Sequence, residues 1–191
     1  MGTYGTILPE ASVPLGERKA GAVQITVVPM TSEEETKGKA FVHCVAWKEA
    51  YRGLLSQEFL DARTFAFSEE RSLAAFRAGM RTLLAKDGSK VVGFADYGAC
   101  RDDDLPNAGE VYAIYLLADY YGRGIGAQLM SAAINNMPDR SEIVVWVLEG
   151  NERAIRFYQR FGFRFDGKSK VLNLGGDVTD LRMVLQLESA D

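Results

Sequence analysis

The stretch best suited to chemistry is Tyr121-Gly122-Arg123-Gly124-Ile125-Gly126. An apolar run, Val111 to Leu117, precedes it, and an apolar-periodic segment follows (Ile125, Leu129, Met130, Ala133, Ile134, Met137). That order reads as a strand, a glycine-rich turn and a helix start. Three glycines within residues 122–126 leave backbone N–H groups unshielded at the positive end of a helix dipole, a place that takes phosphate oxygens. A phosphorylated cofactor is the implication. No Gly-Lys-Ser/Thr follows, which argues against a nucleoside triphosphate loop. Gly122-x-Gly124-x-x-Ala127 fits a dinucleotide fingerprint, but Ala118-Asp119-Tyr120-Tyr121 separate strand from glycine. The motif also lies too late in the chain for a doubly wound sheet to be completed behind it.

A second segment narrows the choice. After the apolar strand 143–148 comes Asn151-x-x-Ala154-x-x-x-Tyr158-x-x-x-Gly162-Phe163. Asn151 suits a helix N-cap, Ala154, Tyr158 and Phe161 share one face, and Gly162 ends the helix. Together the two segments resemble the GCN5-related N-acetyltransferase (GNAT) superfamily, whose signature is Gln/Arg-x-x-Gly-x-Gly/Ala, then a strand and an Asn-x-x-Ala-x-x-x-Tyr helix. The resemblance is specific over 108–165 and extends from about 23 to the C-terminus. One position departs from it: Tyr121 stands where the signature has Gln or Arg. Backbone amides then carry the pyrophosphate contact, with Arg123 adding charge.

The resemblance implies acetyl-CoA as acyl donor and direct transfer to a primary amine of a small molecule or peptide. Such a transfer needs a proton acceptor for the amine, a donor for the oxyanion and an acid for the departing thiolate. The resemblance places the base at Glu110, which opens the strand feeding the loop, and the acid at Tyr158 on the second helix. Strand alternation puts Glu110, Tyr112 and Ile114 on one face, and Val111, Ala113 and Tyr115 on the other. For the cofactor, the resemblance assigns Leu116, Leu117 and Ala118 to the pantetheine amides in the manner of an added strand. It assigns Tyr121, Gly122, Arg123, Gly124, Ile125, Gly126 and Ala127 to the pyrophosphate, and Asn151 to the pantetheine arm. His43, Trp47 and Tyr51 recur at helical i, i+4, i+8 spacing and are the candidate acceptor-binding stripe, the alternative being a core stripe. His43 and Cys44 are adjacent, so on a helix their side chains diverge. Two alternatives stay open at this point: transfer of a longer acyl chain, and a CoA-binding regulatory domain without turnover.

The elements that must position these groups follow from periodicity and turn residues. Residues 1–22 read as an extension, and 23–191 as one acetyltransferase domain. A strand over 23–28 precedes a helix that begins at Thr31 or Ser32, with Glu33, Glu34 and Glu35 in its first turn. One or two further helices fall within 54–79. Asp87-Gly88 joins strands 81–85 and 90–99 as a hairpin. Asp102-Asp103-Asp104 reads as a solvated loop. Strand 110–117, helix 124–137, strand 142–148 and helix 151–161 come next, then two strands near 163–174 and 179–187. The fold class expected is α/β (α+β): a central mixed, mostly antiparallel sheet of about seven strands with helices on both faces.

Composition limits the partners. Net charge is -4 over 191 residues, which gives no electrostatic reason to bind nucleic acid or an anionic membrane. Two cysteines and one histidine cannot build a structural zinc site, and so few cysteines suit a reducing compartment. The expectation is a cytoplasmic protein with no metal, with a homodimer left open.

Overall fold

The computed structural model describes residues 25–187; the extension expected at 1–22 lies outside the described residues. Seven strands form one sheet: β1 (Ile25–Pro29), β2 (Arg81–Asp87), β3 (Lys90–Ala99), β4 (Gly109–Leu116), β5 (Glu142–Leu148), β6 (Arg164–Asn173) and β7 (Asp177–Gln186). Their order across the sheet is β1-β2-β3-β4-β5-β7-β6, and every pairing is antiparallel except β4 with β5. Among the described residues five α-helices accompany the sheet: α1 (Glu33–Ala50), α2 (Gln57–Asp61), α3 (Phe65–Arg77), α4 (Ile125–Asn135) and α5 (Glu152–Arg160). The mixed, mostly antiparallel sheet expected from the sequence is what forms.

Helix α1 starts where its sequence says it should. The Glu35 carboxylate accepts from the Thr31 and Ser32 backbone N–H groups, at 2.7 and 3.2 Å, taking up donors that the helix start leaves free. Two features then hold α1 against β3. Lys39, 3% exposed, pairs with Asp96 at 2.8 Å, and Thr82 donates to the same carboxylate. Removing one partner of so buried a pair costs about 3–5 kcal/mol. Gly38 makes the close approach possible, since a Cβ there would meet Val91 Cγ2 at 2.6 Å. This docking sets where His43, Trp47 and Tyr51 arrive over the sheet.

The larger apolar cluster lies between the sheet and its helices, with Phe94, Leu84, Ile125, Leu129, Met130, Ile143, Phe163 and Met183 almost fully enclosed. A smaller cluster forms around Leu55, Leu60 and Leu148, flanked by Trp47, Tyr51, Leu54, Phe59, Leu174 and Val178. The hairpin between β2 and β3 differs in detail from expectation. Asp87 pairs with Lys90, so the two-residue turn is Gly88-Ser89, with Gly88 at φ +60° in the first turn position.

The strands β4 and β5 pair only at Gly109↔Ile143 and Glu110↔Val144, then part. Beyond that point β4 stays with β3 as far as Leu116, and β5 stays with β7 as far as Leu148. A wedge therefore opens in the middle of the sheet.

Candidate active site

The wedge ends at the glycine loop. Leu117 donates its N–H to Val92 on β3, so Leu116 turns its own N–H toward the open edge. Ala118 begins a single 3-10 turn to Tyr120, which carries the chain to the loop. Gly122 and Gly124 have φ of +74° and +75°, and nothing lies within 4 Å of a Cβ built on either. Gly124 caps α4 without a side-chain bond, so the first N–H groups, from Ile125, Gly126 and Ala127, have no intrahelical acceptor. The Ile125 side chain is buried and anchors the turn, and Gly126 lets Phe157 of α5 pack close. An open, N–H-lined cradle beside an unpaired strand edge fits a molecule that joins a diphosphate to an amide-bearing arm.

Charge surrounds this cradle. Arg123 lies over the Tyr120 ring at 5.1 Å, and Lys90 lies over the same ring at 5.7 Å. Tyr121, at the position where a polar side chain was missing, carries Arg153 over its ring at 4.3 Å. α5 thus brings a cation to the Tyr121 position, a placement that only the tertiary structure reveals. Asn151 caps α5, its side chain accepting from Ala154 N–H at 3.2 Å.

On the helix α1 face a cluster of hydroxyls meets the wedge. Tyr51 and Tyr115 share a hydrogen bond at 3.1 Å. Burial raises the pKa of both, and raises that of Tyr158 well above the ordinary tyrosine value, with the charges of Tyr51 and Asp180 raising it further. Each of these phenols keeps its proton near neutral pH. Asp180 of β7 belongs to the same group, its carboxyl also raised by burial and lowered by Lys170. His43 stacks near Tyr115 at 5.4 Å and Phe94 at 5.8 Å. Burial, then the charges of Lys39, Arg63 and Arg71, hold its pKa at about 4, so the ring is neutral at pH 7. Trp47 packs on Tyr51 at 4.9 Å and beneath the Arg63 guanidinium at 5.0 Å. The stripe is half-buried and meets β4 at Tyr115, and the Cys44 thiol donates to the Arg63 carbonyl at 3.4 Å.

Three expectations change here. Simple alternation separates Glu110 from Tyr115, yet β4 carries a bulge at Tyr112: Asp96 pairs with Ala113 and Tyr97 with Val111. The extra residue shifts the count by one. Glu110 opposes Gly98 and Tyr115 opposes Phe94, which lie four residues apart on one face of β3, so both face α1. Second, Glu110, the expected base, is not a free carboxylate but is held in an ion pair. It is 1% exposed, with Arg101 donating its backbone N–H at 3.0 Å and its guanidinium to both oxygens. The structure brings Tyr51, Tyr115, Tyr158 and Asp180 together; Glu110 is bonded to Arg101 instead. Third, the acidic loop is not simply solvated. Asp102 and Asp104 grip Arg182, itself 3% exposed, and Asp166 takes the other edge at 2.7 Å. Asp102 also accepts from the Trp146 indole at 3.1 Å, which pins this loop over Glu110's end of the sheet.

Residues 54–163 match the acetyltransferase (GNAT) family. The uncharacterized N-acetyltransferase YuaI of Bacillus subtilis is 30% identical over 130 residues, covering 67% of this chain and 74% of that protein. The spermine/spermidine N(1)-acetyltransferase of Bacillus subtilis is 37% identical over 84 residues, 41% of this chain and 55% of that protein. Among solved structures, the PaiA N-acetyltransferase of Thermoplasma acidophilum in complex with coenzyme A superposes with a TM-score of 0.68 at 22% identity. The match spans 86% of this chain and 99% of that one. YncA of Salmonella typhimurium with acetyl-CoA gives 0.64 at 17% identity, over 88% and 96% of the two chains. The chain belongs to the GNAT family and is an acetyltransferase that takes its acyl group from acetyl-CoA. No helix among the described residues is long and apolar enough to cross a membrane, and no described cluster of side chains could hold a metal.

Proposed function

We propose that the protein transfers an acetyl group directly to a primary amine of a small molecule or peptide. Bound acetyl-CoA supplies the activated acyl thioester. The observation that carries the reading is the wedge between β4 and β5, with the N–H cradle at residues 122–127 beside it and Tyr158 within electrostatic reach of Tyr115 on β4. Leu116, Leu117 and Ala118 offer backbone groups to the pantetheine amides, and the loop with Arg123 and Arg153 receives the phosphates. Asn151 stays the cap of α5 and faces the arm. Tyr158 keeps its proton at neutral pH, as an acid for the departing thiolate must. Glu110 is the proton acceptor for the amine through intervening water, and Arg101, 63% exposed, must first loosen from it. His43, Trp47 and Tyr51 form the acceptor-side wall.

A small amine is the acceptor class we favour, on the kinship with a spermine/spermidine N(1)-acetyltransferase. Thiol release from acetyl-CoA, followed across a panel of alkylamines, polyamines and short peptides, tests the reading. Turnover with at least one amine is expected. Tight CoA binding with no thiol release across the panel would leave a CoA-binding domain instead. Faster release from butyryl-CoA than from acetyl-CoA would favour the longer-chain reading.

A further inference from the structure

We infer that Asp180 is the residue that holds the ammonium group of the acceptor, and that the apolar cluster beside it takes an alkyl chain. The inference deepens the reading of an amine acetyltransferase and rests on it. Asp180 lies directly opposite Lys170 in the β6–β7 ladder, where a cross-strand ion pair would ordinarily form. It does not form. Lys170 places its ammonium over the Trp146 ring instead, 3.6 Å from the centroid. Among the described residues the half-buried Asp180 carboxylate makes no ion pair and no side-chain hydrogen bond. A carboxylate in that condition is costly unless something cationic meets it.

Its surroundings say what would. On its other side Asp180 opposes Leu148, the last residue of β5, which belongs to the cluster of Leu55, Leu60, Trp47, Tyr51 and Val178. The Tyr51, Tyr115 and Tyr158 hydroxyls lie within electrostatic reach of Asp180 from α1, β4 and α5, and Lys170 acts on it from β6. One negative charge, a rim of neutral phenols and an apolar wall match a primary alkylammonium. The proximity of Asp180 to Tyr158 puts that ammonium at the reacting end of the wedge rather than at its mouth.

Calorimetric titration of the full chain with n-hexylamine and with the uncharged n-hexanol, at pH 7.5 with and without CoA, tests the assignment. The wild-type protein should bind the amine at least about tenfold more tightly than the alcohol, the least that one charge-assisted hydrogen bond provides. Asp180→Asn should abolish that preference while leaving hexanol affinity and CoA binding unchanged, the latter showing that the variant is folded. Lys170→Met should act in the opposite direction, since it removes a competing positive charge. A wild-type protein that does not prefer the amine, or an Asp180→Asn variant that still does, overturns the assignment. Preference present but no thiol release with any amine would keep Asp180 as an ammonium site and retire the transferase reading alone.

Discussion

Replacing Gly124 by valine separates the phosphate cradle from the fold that carries it. At φ +75° the left-handed conformation costs a side-chain-bearing residue about 1–2 kcal/mol, and β-branching adds to this. No protein atom lies within 4 Å of the new Cβ, so there is no steric cost in the protein itself. A loss of about 1–2 kcal/mol lowers the melting temperature of a domain this size by about 2–8 °C, and the chain stays folded. Gly79 is the matched control, at φ +80° with nothing within 4 Å and no place in the cradle. Gly79→Val should lose the same few degrees. The two variants should differ once CoA is added. At 100 times its dissociation constant the ligand adds about 2.7 kcal/mol, or about 5–11 °C. Wild type and Gly79→Val should show that shift by scanning fluorimetry, and Gly124→Val should show almost none. Equal CoA shifts in all three proteins would place the phosphates elsewhere and refute the argument.

Tyr158→Phe retains the ring but not the proton, so turnover should fall by about 10²-fold with CoA affinity little changed, as read by steady-state kinetics and calorimetry. Glu110→Gln should lower turnover most at low pH, and the deficit should shrink as pH rises and free amine accumulates; a deficit independent of pH would mean that Glu110 serves structure through Arg101. His43 has a folded pKa of about 4 against 6.5 unfolded, so the unfolded chain binds more protons in between and stability falls as pH drops through that window. The His43 contribution should reach about 3 kcal/mol by pH 4, measurable as the difference in urea midpoints between wild type and His43→Phe across the titration; parallel pH profiles would contradict the buried neutral ring.

The local signals in the sequence were strong where short-range physics decides. Gly122, Gly124 and the capping Asn151 mark backbone conformations that few other residues favour, and strand 142–148 was bounded to the residue. What the sequence did not disclose are relations between distant segments. The bulge at Tyr112 leaves the β4 composition looking like a regular alternating strand, so Tyr115 was placed on the wrong face. Arg182 sits in a run of ordinary strand residues, and its carboxylate partners come from 16 to 80 positions away. Arg153 and Asp180 lack any local motif. The roles proposed for them depend on α5 returning beside the loop and on β7 inserting between β5 and β6.

That insertion also explains why the wedge can exist without the sheet falling apart. From Val111 to Leu116 on β4, and from Val145 to Leu148 on β5, the facing edges have no strand partner across the gap. Each absent bond forgoes about 0.5–1.5 kcal/mol. The two halves are held by other means: β5 pairs with β7 over its full length, and β4 is tied to β3. They meet at only two residue pairs, and the closeness there depends on Gly109, where a Cβ would meet Ile143 Cδ1 and Met137 Sδ, each at 2.8 Å. The bulge at Tyr112, three residues later, bends β4 where its pairing with β5 has ended. The groups that the proposed transfer uses are divided between the halves, with Tyr115 on β4, Asp180 on β7, and Tyr51 and Tyr158 brought in by the end of α1 and by α5. A fully paired sheet would bring β4 and β5 together and close the space between these groups. The opening that weakens the sheet is therefore the same one that gives an extended, amide-bearing ligand an edge to join.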